Sequence, residues 1–77
     1  MAKTSLGNRL KALRQGRGLD REDIGNQVSC SGVYLKYVEH GEVIPSERML
    51  SHIAQVLEAD LPELLRLRTL AENSKAS

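Results

Sequence analysis

The chain has 77 residues, a net charge of +1, 40% apolar side chains and 27% charged ones. A chain this short forms one small domain that buries roughly 60% of its unfolded surface, which excludes a large catalytic cleft between domains. Its composition fits a folded soluble domain, no apolar run approaches the ~18 residues of a membrane span, and Met1 to Ser5 has no apolar stretch of the signal-peptide kind.

Twelve leucines, no Phe, no Trp and only Tyr34 and Tyr37 as aromatics favour helix over sheet. The apolar residues recur at steps of three and four. A first helix is expected from about Leu6 to Gln15, capped by Thr4 or Ser5. Leu6, Leu10 and Leu13 form its stripe, and Gly16 and Gly18 end it. A second helix is expected from Arg21 to about Val28, with Asp20 as cap, Asp23 completing a capping box, and Ile24 and Val28 inward. Gly25 within so short a helix costs about 1 kcal/mol relative to Ala, which predicts that another backbone passes close to it.

A turn at Ser29-Cys30-Ser31-Gly32 leads to a third helix, Gly32 to about His40, capped by Ser31, with Leu35 and Val38 inward and Gly41 as its stop. After a loop to Pro45, Ser46 caps a fourth helix from Glu47 to about Leu57, whose inner face is Leu50, Ile53, Ala54 and Leu57. Asp60, Pro62 and Glu63 open a fifth helix carrying Leu61, Leu64, Leu65, Leu67 and Leu70. The domain is expected over 6–70, followed by a polar C-terminal tail, 71–77, that frays.

Charge is segregated along the chain: residues 1–36 sum to +4 and residues 37–77 to −3. A basic half can meet a polyanion with one side, or simply be a solvated helix face. Cys30 alone allows no intrachain disulfide and suggests a reducing compartment, the cytoplasm. Cys30, His40 and His52 match no zinc spacing, and Gly16-Arg17-Gly18 follows no strand and so is no phosphate cradle. No metal, no cofactor and no enzymatic activity are expected.

Two short helices joined by a tight turn, 21–28 and 32–40, form a helix-turn-helix candidate, although many helical bundles contain such pairs. The residues narrow the choice. Asp20-Arg21-Glu22-Asp23-Ile24-Gly25-Asn26-Gln27-Val28-Ser29-Cys30-Ser31, then Tyr34-Leu35-Lys36-Tyr37-Val38-Glu39-His40-Gly41, then Pro45-Ser46, Leu50, Ile53-Ala54, Leu57 and Leu61-x-Glu63-Leu64-Leu65 follow one another without gaps. This run, about Leu6 to Leu65, resembles the lambda-repressor-like, Cro-type helix-turn-helix DNA-binding family (also called XRE-like). Chains of this length and pattern are also similar to the controller proteins of restriction–modification systems.

The resemblance implies an all-α fold, a five-helix DNA-binding bundle. It implies a sequence-specific transcriptional regulator, a repressor, that binds a palindromic operator in double-stranded DNA as a homodimer. By position it pairs Arg14 with Glu39, places Gly25 where the second and third helices cross, and puts Arg21 and Ser31 against phosphate. Gly32 and Val33 stand where relatives place base-reading polar residues, so readout shifts to Lys36 and Tyr37, with Val33 able to pack on a thymine methyl. Tyr34 either touches DNA or packs its ring, and His40 either supplies a phosphate contact or only ends its helix. Glu42 stands where relatives often carry a cation. Leu67 and Leu70 extend past the core and suggest a dimer interface. No membrane and no small-molecule substrate are expected. The rival reading keeps the fold but uses Gly32, Val33, Tyr34 and Tyr37, with Val43 and Ile44, as a protein-interaction surface.

Overall fold

The computed structural model describes the backbone of residues 5–76 and the side chains of residues 5–73. Among them are five helices and no strand: α1 (Leu6–Gly16), α2 (Arg21–Val28), α3 (Gly32–Glu39), α4 (Glu47–Leu57) and α5 (Leu61–Ala76). The local chemistry that starts each helix is visible. Ser5, Ser31 and Ser46 each accept a bond from the amide three residues on, at 3.0–3.2 Å. Asp20 and Asp23 exchange the reciprocal bonds of a capping box at 2.9 and 3.0 Å. The alternative first cap, Thr4, lies outside the described residues.

Three helix ends differ from the sequence expectation. α1 runs one residue further, because Gly18 at φ +70° rather than Gly16 makes the turn. α3 stops at Glu39, with His40 as its C-cap and Gly41 at φ +80° reversing the chain. The largest difference is at the end: residues 71–76 continue α5 rather than forming a tail. No glycine or proline interrupts them. The Arg68–Glu72 pair, 3.1 Å apart one turn along the helix, ties the leucine-bearing part of α5 to its polar extension.

α1 packs on α3 and α5, α2 on α3 and α4, and α4 on α5. Between them lies a core of Leu6, Leu10, Ile24, Val28, Leu35, Val38, Leu50, Ile53, Ala54, Leu57 and Leu64. All four expected inner residues of α4 are in it. Two glycines let backbones meet. A Cβ on Gly25 would lie 2.6 Å from the Cys30 carbonyl oxygen, so the backbone that passes close to α2 is that of the turn itself. A Cβ on Gly7 would lie 2.7 Å from the Val38 carbonyl oxygen and nearer still to that of Glu39, so α1 and the end of α3 pack through backbone.

The charge segregation closes up on folding. Arg9 pairs with Glu63 at 3.3 Å, Arg17 with Glu58 at 2.7 Å, and both Arg14 and Arg21 with Glu39. Four cations of the basic half thus meet carboxylates of the acidic half. Much of the positive charge of residues 1–36 is thus paired with carboxylates within the molecule. Arg68 also donates to the Pro45 carbonyl at 2.7 Å and so holds the loop before α4 against α5.

Candidate nucleic-acid interface

α3 packs against α1 and α2 and sends Leu35, Val38 and Glu39 inward. Helical geometry turns the opposite positions outward. Val33 is 60% exposed and Tyr37 41%, and Lys36 and His40 are exposed beside them. These four occupy positions i, i+3, i+4 and i+7, one continuous stripe along the helix. Lys36 makes no ion pair among the described residues, so its ammonium is available.

The start of α3 abuts the start of α2. A Cβ on Gly32 would lie 3.1 Å from Glu22 Cγ and 3.6 Å from Arg21 Cβ. The two first turns thus lie in contact, with the Glu22 side chain the nearest group to position 32. Ser31 accepts from the Tyr34 amide at 3.0 Å, and its own O–H remains a donor. Glu22 is exposed beside these groups and brings a carboxylate to the same end of α3.

Behind the stripe sits a buried ionic cluster. Arg14 Nε donates to Glu39 Oε2 at 2.7 Å, and its Nη2 donates to Oε1 at 3.2 Å. Arg14 Nη1 donates to the Leu19 carbonyl at 2.9 Å, which fixes the α1–α2 connection. Arg21 Nε donates to the same Oε1 of Glu39 at 3.1 Å. Arg14 and Glu39 are 8% and 6% exposed, so this carboxylate joins α1, α2 and α3 in a site largely shielded from water. The Arg14–Glu39 pairing follows from the resemblance. The recruitment of Arg21 does not, because residues 18 apart carry no local signal that they pair.

Tyr34 is half-buried and packs against the core. Burial raises the pKa of its phenol, and the neighbouring Cys30 adds to the rise. Burial likewise pushes the Cys30 thiol up and keeps it protonated near neutrality. His52 is exposed on α4, away from α3, beside an open depression that it shares with Gln27, Val28, Ser29, Gln55 and Val56. On α5, Leu67 is half-buried against the core, whereas Leu70 is 61% exposed. No helix among the described residues is long and apolar enough to cross a membrane.

The family model of the helix-turn-helix domain matches residues 5–67, most of the chain. The chain belongs to the helix-turn-helix domain family. No curated protein matches it, and no solved structure does. α2, the turn at Ser29–Ser31 and α3 form the helix-turn-helix unit, with α3 as its second helix, inside an all-α bundle of five helices among the described residues. Domains of this kind bind DNA, with the second helix in the major groove and the first across the backbone.

Proposed function

We propose that this helix-turn-helix domain is a sequence-specific transcriptional regulator, a repressor, that binds a palindromic operator in double-stranded DNA as a homodimer in the cytoplasm. The observation that carries the reading is the stripe of Val33, Lys36 and Tyr37 on α3, with His40 at its C-cap, left exposed among the described residues. Lys36 reaches guanine acceptors or phosphate, Tyr37 offers its hydroxyl to a base edge, and Val33 packs on a thymine methyl. Ser31, Arg21 and His40 take phosphates at the two ends of the helix. Gly32 lets the backbone approach closely. Tyr34, with its ring against the core, serves as a spacer under the stripe rather than a reader.

With Arg9, Arg14, Arg17 and Arg21 paired to carboxylates among the described residues, the salt dependence of binding is expected to be shallow. It corresponds to about two released counterions per protomer, a log–log slope of about −2 for each protomer bound. Fluorescence anisotropy on duplex DNA at about 50 mM and about 200 mM salt measures it. Lys36→Ala is expected to weaken binding by roughly tenfold, with the slope reduced by about one if the contact is phosphate and sequence preference relaxed if it is a base. Failure of the wild-type chain to bind any duplex at low salt removes the DNA reading. The exposure of Val33 and Tyr37 then favours the second reading, a helix-turn-helix protein-interaction module.

The dimer is supported by Leu70, a large apolar side chain left exposed on α5. Leu67 contributes only an edge, since it already packs on its own core. A symmetric pair would set two α3 helices about one DNA turn, ~34 Å, apart. Leu70→Asp is expected to convert a concentration-dependent dimer into a monomer in sedimentation velocity. A wild-type chain that stays monomeric at ~100 μM excludes the dimer, given ordinary non-obligate affinities.

A further inference from the structure

We infer that the buried carboxylate of Glu39 positions Arg21 for a DNA phosphate, dividing that guanidinium between the protein and the nucleic acid. The inference rests on the DNA-binding reading above and assigns a geometry to one contact within it. Arg21 Nε is committed to Glu39 Oε1 at 3.1 Å. No other hydrogen bond or ion pair is made by Arg21 among the described residues, so both of its Nη groups retain their donors. The side chain is 31% exposed while that of Glu39 is 3% exposed, so the guanidinium spans from the shielded carboxylate out to solvent. It does so beside the first turn of α3, where the Arg21 Cβ approaches Gly32. Held by its Nε, a planar fork points its two terminal amines in a fixed direction, the geometry that matches two oxygens of one phosphate.

Glu39 is itself fixed by two bonds from Arg14, so the anchor does not move with the anchored group. A lysine at position 21 carries the same charge but a single ammonium. It can meet Glu39 or the phosphate, not both with good geometry. Charge and geometry therefore separate experimentally.

Because phosphate contacts are largely independent of sequence, a labelled mixed-sequence duplex is a sufficient probe. Arg21→Lys is expected to lose about tenfold or more in affinity and about one unit of salt slope. That makes it resemble Arg21→Gln, with both variants melting within a few degrees of the wild type. In the paired Arg14→Met/Glu39→Leu background, arginine and lysine at position 21 are expected to bind within about twofold of each other, because the anchor is gone. Glu39→Asp, which keeps a counter-charge for Arg14, serves as a second background and should narrow the same difference.

Three outcomes overturn the assignment. One is an Arg21→Lys variant with wild-type affinity and slope, which makes Arg21 a plain surface charge. Another is an Arg21→Gln variant that binds as wild type, which removes the contact altogether. The third is an arginine–lysine difference that persists unchanged in both backgrounds, which removes the role of Glu39. Each of these is read on a wild-type chain that binds the duplex; absence of wild-type binding at low salt instead sinks the DNA reading itself.

Discussion

Replacing Glu39 by Gln is expected to destabilise the domain by about 3–5 kcal/mol, because it leaves the Arg14 guanidinium shielded from water without a counter-charge. A domain of this size has a total stability of only about 4–12 kcal/mol, so the variant would be marginal. Its melting temperature would fall by at least about 12 °C. The carboxamide keeps one acceptor oxygen but turns an NH2 toward guanidinium donors that previously met carboxylate oxygens at 2.7–3.2 Å. Desolvating both charges is itself costly, so the pair need not add net stability over an apolar substitute. The double replacement Arg14→Met/Glu39→Leu is therefore expected to recover most of the loss. Arg21, partly exposed, can turn its freed Nε to solvent. Urea denaturation of Glu39→Gln, of the single variants Arg14→Met and Glu39→Leu, and of the double variant measures the loss and the coupling. A loss below about 1 kcal/mol for Glu39→Gln, or losses that simply add in the double variant, would mean that the cluster is solvated and does not hold the three helices together.

Gly7→Ala should be the most damaging small substitution in α1, at about 3 kcal/mol, the upper end of ordinary overpacking costs, because Gly7 is buried against α3. The new methyl would sit 2.7 Å from the Val38 carbonyl oxygen and closer to that of Glu39. Neither neighbour is a flexible side chain, so α1 and α3 would have to separate. The same displacement shifts the outward stripe of α3 and should lower DNA affinity together with stability. Gly16→Ala in the same helix is the matched contrast. A Cβ there meets nothing within 4 Å, so alanine's helix propensity and the reduced freedom of the unfolded chain should raise stability by about 0.5–1 kcal/mol. Denaturation midpoints at unchanged m-value would report opposite signs for the two variants. Equal effects would show that the α1–α3 approach is looser than the structure has it.

These two predictions also mark where sequence reading stops. The cost of a glycine inside a short helix pointed to a close backbone at Gly25, and the Cys30 carbonyl is there. The close approach at Gly7 leaves a weaker signal in the sequence, because the first turn of a helix tolerates glycine. The caps at Ser5, Asp20, Ser31 and Ser46 and the inner face of α4 were legible because each depends on residues within four positions of one another. The length of α5 was not: polar residues after Leu70 carry no apolar stripe, and their helix is supported by the Arg68–Glu72 pair and the absence of a breaker.

The candidate interface divides in the same way. That Val33, Lys36, Tyr37 and His40 share one side of a helix is periodicity, and periodicity is written in the residues. That this side faces out follows from which neighbours α3 packs on. The fate of the cations depended on the fold most of all. Counted along the chain, they form a basic half. In three dimensions Arg9, Arg14, Arg17 and Arg21 are matched to carboxylates 18 to 54 positions away. The order of residues determined the helices, where they start and the helix-turn-helix spacing, because these are governed by interactions within a turn or two of the backbone. Only the packing of those helices decided which charges remain free to meet a phosphate, because electrostatic partnership depends on distance through space and on exclusion of water.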